Sequence, residues 1–159
     1  MAKILILSPE KCTNCRTCEL ACSFRHEQEF NPTRSRVSVL SYEKAGISVP
    51  IMCLQCDNAA CVKVCPVGAI TRNEETGAMV INQIRCISCK MCINACPFGS
   101  TGYDDVNRSI IKCDLCDGNP ECAKNCPSGA IVFRESNTAN LNKKKAIASK
   151  FKEIFAGGN

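Results

Sequence analysis

The sequence predicts a small α+β fold of short strands and short helices, organised around repeated cysteine quartets in place of one large apolar core. Three observations predict it. Sixteen cysteines in 159 residues fall into four quartets with none left over. The apolar runs between quartets are short and several alternate, as half-buried strands do. Turn formers such as Asn31-Pro32 and Asn73 to Gly77 punctuate those runs.

Taken in order, the chain opens on the apolar run Ile4 to Leu7. That run is too short for a signal-peptide core and is followed by no small-residue cleavage site. No stretch approaches the ~20 apolar residues of a membrane span, so the expected location is the cytoplasm. The first quartet is Cys12-x2-Cys15-x2-Cys18-x3-Cys22. The longest cysteine-free interval between quartets follows. After the Asn31-Pro32 turn it contains Ser35 to Leu40, which alternates like a strand. The second quartet is Cys53-x2-Cys56-x4-Cys61-x3-Cys65, and after it Ala69-Ile70-Thr71 and Met79-Val80-Ile81 flank a Gly-containing loop as a small hairpin. The third is Cys86-x2-Cys89-x2-Cys92-x3-Cys96. The fourth, Cys113-x2-Cys116-x5-Cys122-x3-Cys126, lies between strand-like runs at Ser109 to Lys112 and Ala130 to Phe133. Past these, residues 136–159 hold no cysteine. Lys143-Lys144-Lys145 leads into a segment whose Ile147, Phe151, Ile154 and Phe155 suit an amphipathic helix.

Cysteine at roughly a tenth of a short chain means disulfides or metal. A chain held in a reducing compartment disfavours disulfides. Four-cysteine zinc sites take two Cys-x2-Cys knuckles set well apart, whereas here four cysteines crowd together, four times over. The spacing Cys-x2-Cys-x2-Cys-x3-Cys-Pro is instead the bacterial [4Fe–4S] run. The third quartet matches it residue for residue, the first has Ser23 in place of proline, and the second and fourth widen one interval. Proline after the last cysteine turns the chain away from the core. The glycine two residues later lets backbone N–H groups approach sulfur. Four quartets therefore predict four [4Fe–4S] clusters and an electron-transfer function.

The formal charge of +5 counts cysteines as neutral. Four loaded sites, each about −2, bring the protein to about −3, which argues against nucleic acid as a partner. His26 is the only histidine and reads as a surface residue. Arg16, Arg85 and Lys90 sit in or beside quartets, as solvated charges or as modulators of potential. There is no P-loop, GxGxxG or Ser-His-Asp order, and four thiolates for each four irons leave no open iron for catalysis, so no catalytic residue is expected.

With these quartets in this order, residues 3–134 resemble the four-cluster ferredoxin-type electron-transfer subunits of molybdenum and tungsten oxidoreductases. The short length and the opening from Pro9 through Cys12, Cys15, Cys18 and Cys22 to Ser23 look most similar to the small subunits that accompany tungsten aldehyde oxidoreductases and benzoyl-CoA reductases. The resemblance implies two ferredoxin-like halves with nested cluster sharing. Residues 1–30 with 105–135 would form the outer half and 50–104 the inner half. Residues 31–49 would connect them, and 136–159 would be a tail. One cluster would take Cys12, Cys15, Cys18 and Cys126, and the next Cys113, Cys116, Cys122 and Cys22. The inner pair would take Cys53, Cys56, Cys61 and Cys96, then Cys86, Cys89, Cys92 and Cys65. Spacing alone leaves sequential pairing of quartets open. The resemblance further implies a hetero-oligomer, in which a catalytic subunit of tungsten- or molybdenum-pterin type and a second redox subunit or carrier are the partners. A freely diffusing polyferredoxin is the alternative.

Overall fold

The computed structural model describes residues 3–135. The expected amphipathic helix in 136–159 lies outside the described residues. Among the described residues, eight strands and four α-helices follow one another in a fourfold repeat of strand, quartet, helix and strand. The first repeat is β1 (Lys3–Leu7), α1 (Thr17–Glu27) and β2 (Val37–Tyr42). The second is β3 (Ile47–Met52), α2 (Ala60–Lys63) and β4 (Ile70–Arg72). The third is β5 (Met79–Ile81), α3 (Met91–Ala95) and β6 (Thr101–Asp104). The fourth is β7 (Ser109–Lys112), α4 (Glu121–Lys124) and β8 (Ile131–Glu135). The class is α+β, as the sequence predicts.

The strands form four two-stranded antiparallel sheets. The strand that ends each repeat pairs with the one that opens the next, and β8 returns to β1, with Leu7 opposite Ile131. Two-stranded ribbons are marginal alone, so each must pack on something. Here Ile131, Val37, Val39 and Met52 pack with Cys18, Cys22 and Cys122. Ile70, Met79 and Ile110 pack with Cys61 and Cys92. The expected hairpin at 69–81 and the strands at 109–112 and 130–133 are present, as is the strand in 35–40. Strand β1 was not foreseen, because its partner lies at the other end of the described chain. The segment 31–49 is largely occupied by the β2–β3 hairpin, and residue 104 falls at the turn of the β6–β7 hairpin.

Proline decides the helix lengths. Pro66, Pro97 and Pro127 follow the last cysteines of quartets two to four, and α2, α3 and α4 stop at four or five residues. Ser23 stands in that position in quartet one, and α1 runs on to eleven residues. Ser23 is fully buried. Its hydroxyl donates to the Leu20 carbonyl at 3.1 Å and accepts from the Asn31 amide at 3.1 Å, fixing the chain as it leaves the helix. The longer helix brings Glu27 to Arg36 at 2.7 Å and to Arg34 at 2.6 Å, while Arg34 also reaches Asp104 at 2.7 Å. Burial disfavours the charged Asp104 carboxylate, yet the Arg34 hydrogen bonds hold it below the ordinary carboxylate range. This cluster ties the long interval to the β6–β7 turn.

Candidate metal centres

All sixteen cysteines are unpaired with one another, and they line four cavities. Site I is bounded by Cys12, Cys15, Cys18 and Cys126. Site II is bounded by Cys22, Cys113, Cys116 and Cys122. Site III takes Cys53, Cys56, Cys61 and Cys96, and site IV takes Cys65, Cys86, Cys89 and Cys92. Each cavity thus draws three thiols from one quartet and the last thiol of another. The four cavities are of similar size, as four copies of one group require. A larger groove of about 880 Å³ between the β2–β3 and β6–β7 hairpins has no cysteine in its lining.

The loop of each quartet is held in conformations that L-residues adopt reluctantly. Asn14, Arg16, Gln55, Ser88, Lys90, Leu115, Cys116 and Asp117 all have positive φ. Each such residue costs about 1–2 kcal/mol, and strain of this kind gathers at functional sites. The fourth cysteine of quartets two to four opens a Cys-Pro-x-Gly turn. Gly68, Gly99 and Gly129 donate back to the carbonyls of Cys65, Cys96 and Cys126. Their left-handed φ then aims the next amides at sulfur, with Ala69 N–H to Cys65 Sγ at 3.2 Å and Ser100 N–H to Cys96 Sγ at 3.4 Å. In the fourth repeat Ile131 N–H reaches Cys126 Sγ at 3.4 Å. Quartet one lacks this turn, and Arg36 N–H serves Cys22 Sγ at 3.3 Å instead.

These donors leave a mark on acidity. At Cys65 and Cys96 burial pushes the thiol up, but the fan of backbone N–H groups outweighs it and both thiols titrate below their ordinary range. Deeper in, burial dominates: Cys18 and Cys113 are each pushed up to about 12, and Cys122 higher still. The negative charge of neighbouring cysteines adds to the burial at each of the three. Four thiolates cannot share such a cavity unless a strongly positive centre lies among them. The donor set therefore fits an iron–sulfur core bound by four thiolates.

Three apolar clusters link the four sites in a line. One contains Cys18 of site I with Cys22 and Cys122 of site II. A second joins Cys113 of site II to Cys53 of site III through Leu115 and Ala78. The third joins Cys61 of site III to Cys92 of site IV. Cysteine exposure follows the same order. Only Cys15 in site I and Cys89 in site IV are exposed, and the four cysteines of site II are all buried.

Two side chains carry more than the sequence reading assigned to them. His26 is not a surface residue: its side chain is 13% exposed, and Nε2 lies 3.4 Å from Asp114 Oδ1 and 3.7 Å from Cys116 Sγ at site II. Helical spacing explains this, since His26 falls one turn beyond Cys22 on α1. Lys112 was not singled out, yet it lines site III. Lys90 lines site IV, and its ammonium stands over the Tyr103 ring at 3.7 Å from the centroid.

A fold of strand-flanked quartets with four linked four-thiol cavities defines an iron–sulfur electron carrier. The chain belongs to the 4Fe–4S dicluster family: residues 45–119 and residues 11–70 each match a 4Fe–4S dicluster domain. It is 41% identical to the aliphatic sulfonate oxidoreductase polyferredoxin-like subunit of Pyrococcus furiosus, over 77% of this chain and 70% of that protein. It is 33% identical to the electron transport protein HydN of Escherichia coli K12, over 86% of this chain and 90% of that protein. Among solved structures it is similar to a chain of the active site complex BamBC of benzoyl coenzyme A reductase with benzoyl-CoA. That likeness has a TM-score of 0.50 and 26% identity, over 92% of this chain and 89% of that chain. The protein is an iron–sulfur electron-transfer protein carrying four [4Fe–4S] clusters, homologous to subunits of oxidoreductase complexes. Among the described residues no helix is long and apolar enough to cross a membrane.

Proposed function

We propose that this chain is the non-catalytic electron-transfer subunit of a hetero-oligomeric oxidoreductase. It relays single electrons between a catalytic subunit of tungsten- or molybdenum-pterin type and a second redox subunit or carrier. Each bound cluster supplies one-electron chemistry at a potential that its surroundings set. We assign its ligands as the four crossed sets that bound sites I to IV. The observation that carries the proposal is the line of four four-thiol cavities whose exposed cysteines, Cys15 and Cys89, lie at the two ends. Such an arrangement suits entry at one end and exit at the other, with no exposed cysteine at the middle sites. The relatives named as subunits of a sulfonate oxidoreductase and of benzoyl coenzyme A reductase support the choice of partner. Sixteen cysteines used as metal ligands suit a reducing cytoplasm.

The test is anaerobic purification of the untagged native protein, with metal analysis of whatever co-elutes. A larger subunit containing tungsten or molybdenum at a fixed ratio to this chain is the expected result. Elution alone at its own mass, with all four clusters in place, would make it a freely diffusing polyferredoxin instead.

A further inference from the structure

Lys112 ends β7 and is 7% exposed. Its ammonium donates to Cys53 Sγ at 2.7 Å and lies 3.5 Å from Gln55 Oε1. Among the described residues no carboxylate lies within ion-pair distance of it. Gln55 cannot supply the missing charge and is itself held, since its Oε1 accepts from Met79 N–H at 2.7 Å and its Nε2 donates to the Cys113 carbonyl at 3.0 Å. A buried ammonium is retained only where a negative partner compensates it. The one group in contact with it that would carry negative charge as an iron ligand is Cys53 Sγ, at 2.7 Å.

We propose that Lys112 is the residue that sets the redox potential of site III, as a fixed positive charge hydrogen-bonded to the iron ligand Cys53. The inference rests on the ligand assignment above. Reduction adds one negative charge to a cluster, and an adjacent ammonium stabilises the reduced form more than the oxidised one. Hydrogen bonds to sulfur act in the same direction. Lys112 therefore makes site III easier to reduce than it would otherwise be. Cations that line the first two sites are paired with carboxylates instead: Arg16 at site I lies 4.0 Å from Glu19, and Arg36 at site II lies 2.7 Å from Glu27. At site I the nearby buried side chain is the carboxylate-bearing Glu19, next to Cys18, and at site II Asp114 stands against His26. Near site IV, Lys90 is turned toward Tyr103. The line of four thus has a buried positive charge with no carboxylate partner at one interior position, where an electron passing between the ends is held most readily.

The experiment is a redox titration of the anaerobic holoprotein followed by electron paramagnetic resonance, on wild type, Lys112→Gln and Lys112→Arg. Iron and sulfide are assayed on every sample. With full iron, one of the four transitions moves to lower potential in Lys112→Gln and stays near its wild-type position in Lys112→Arg. An unmoved set of transitions in fully loaded Lys112→Gln overturns the proposal. A wild-type protein lacking a cluster at this site would instead sink the ligand assignment. Should Lys112→Gln fail to load, wild-type protein labelled with 15N-lysine decides the matter. One reduced signal then shows coupling to a lysine nitrogen, and absence of that coupling overturns the role of Lys112.

Discussion

Replacing Ser23 by proline makes the first quartet resemble the other three and is nonetheless expected to wreck it. Ser23 lies in the interior of α1, with four helical residues still to follow. Proline there removes an intrahelical hydrogen bond and drives its ring into the Glu19 carbonyl, at about 3 kcal/mol or more. The lost hydroxyl also leaves the Asn31 amide without its acceptor at 3.1 Å, which adds about 1–3 kcal/mol. The total of about 4–6 kcal/mol is comparable with the whole stability of many small domains. Cluster loss makes unfolding irreversible, so the quantity to follow is the rate at which absorbance near 400 nm bleaches anaerobically. A loss of about 4 kcal/mol speeds that step roughly a thousandfold if the contacts are already broken in its transition state. Ser23→Ala keeps the helix and loses only the hydroxyl, and should bleach far more slowly than Ser23→Pro. A Ser23→Pro protein that loads fully and bleaches at the wild-type rate would refute the view that quartet one needs an unbroken helix.

Three further outcomes are expected. Cys65→Ala removes one of the thiols lining site IV, so iron should fall from about sixteen per chain to about fifteen as a [3Fe–4S] core, or about twelve if that cluster is lost; undiminished iron with unchanged magnetic spectra would count against Cys65 as a ligand. Met52→Ala empties a fully buried position between sites I and II and should cost about 2–5 kcal/mol, seen as faster bleaching than in a Val106→Ala control, whose side chain is largely exposed and lines no site. Stripping iron and sulfide with a chelator and an oxidant should abolish the strand signal in circular dichroism, because two-stranded ribbons packed around four inorganic cores have little else to hold them; an apoprotein with native strand content would show that the polypeptide core suffices.

Much of this was legible in the sequence because it is local. Hairpin β4–β5 is written in Ile70, Met79 and the glycine-bearing loop between them, and the Cys-Pro-x-Gly turns announce themselves at Cys65, Cys96 and Cys126. What escaped is non-local. Strand β1 reads only as four apolar residues until β8 is set beside it, and spacing gives no hint of which quartets share a cavity. That came from resemblance alone. The length of α1 follows from Ser23, a departure visible in the sequence, but the contacts of the continued helix, His26 with Cys116 and Glu27 with Arg34, depend on residues that only the fold brings to it. Lys112 was missed for a similar reason, since adjacency to Cys113 suggests a role at site II, whereas its side chain reaches across to Cys53 of site III.

The central claim is that four clusters lie in one line, each bound by three cysteines of one quartet and the last cysteine of another. Anomalous diffraction at the iron edge from anaerobically grown crystals tests it most directly. Four compact groups of four irons are expected. In their order along the molecule they are bounded by Cys12, Cys15, Cys18 and Cys126; Cys22, Cys113, Cys116 and Cys122; Cys53, Cys56, Cys61 and Cys96; and Cys65, Cys86, Cys89 and Cys92. Iron bound by Cys53, Cys56, Cys61 and Cys65 together, each quartet serving its own core, would contradict it.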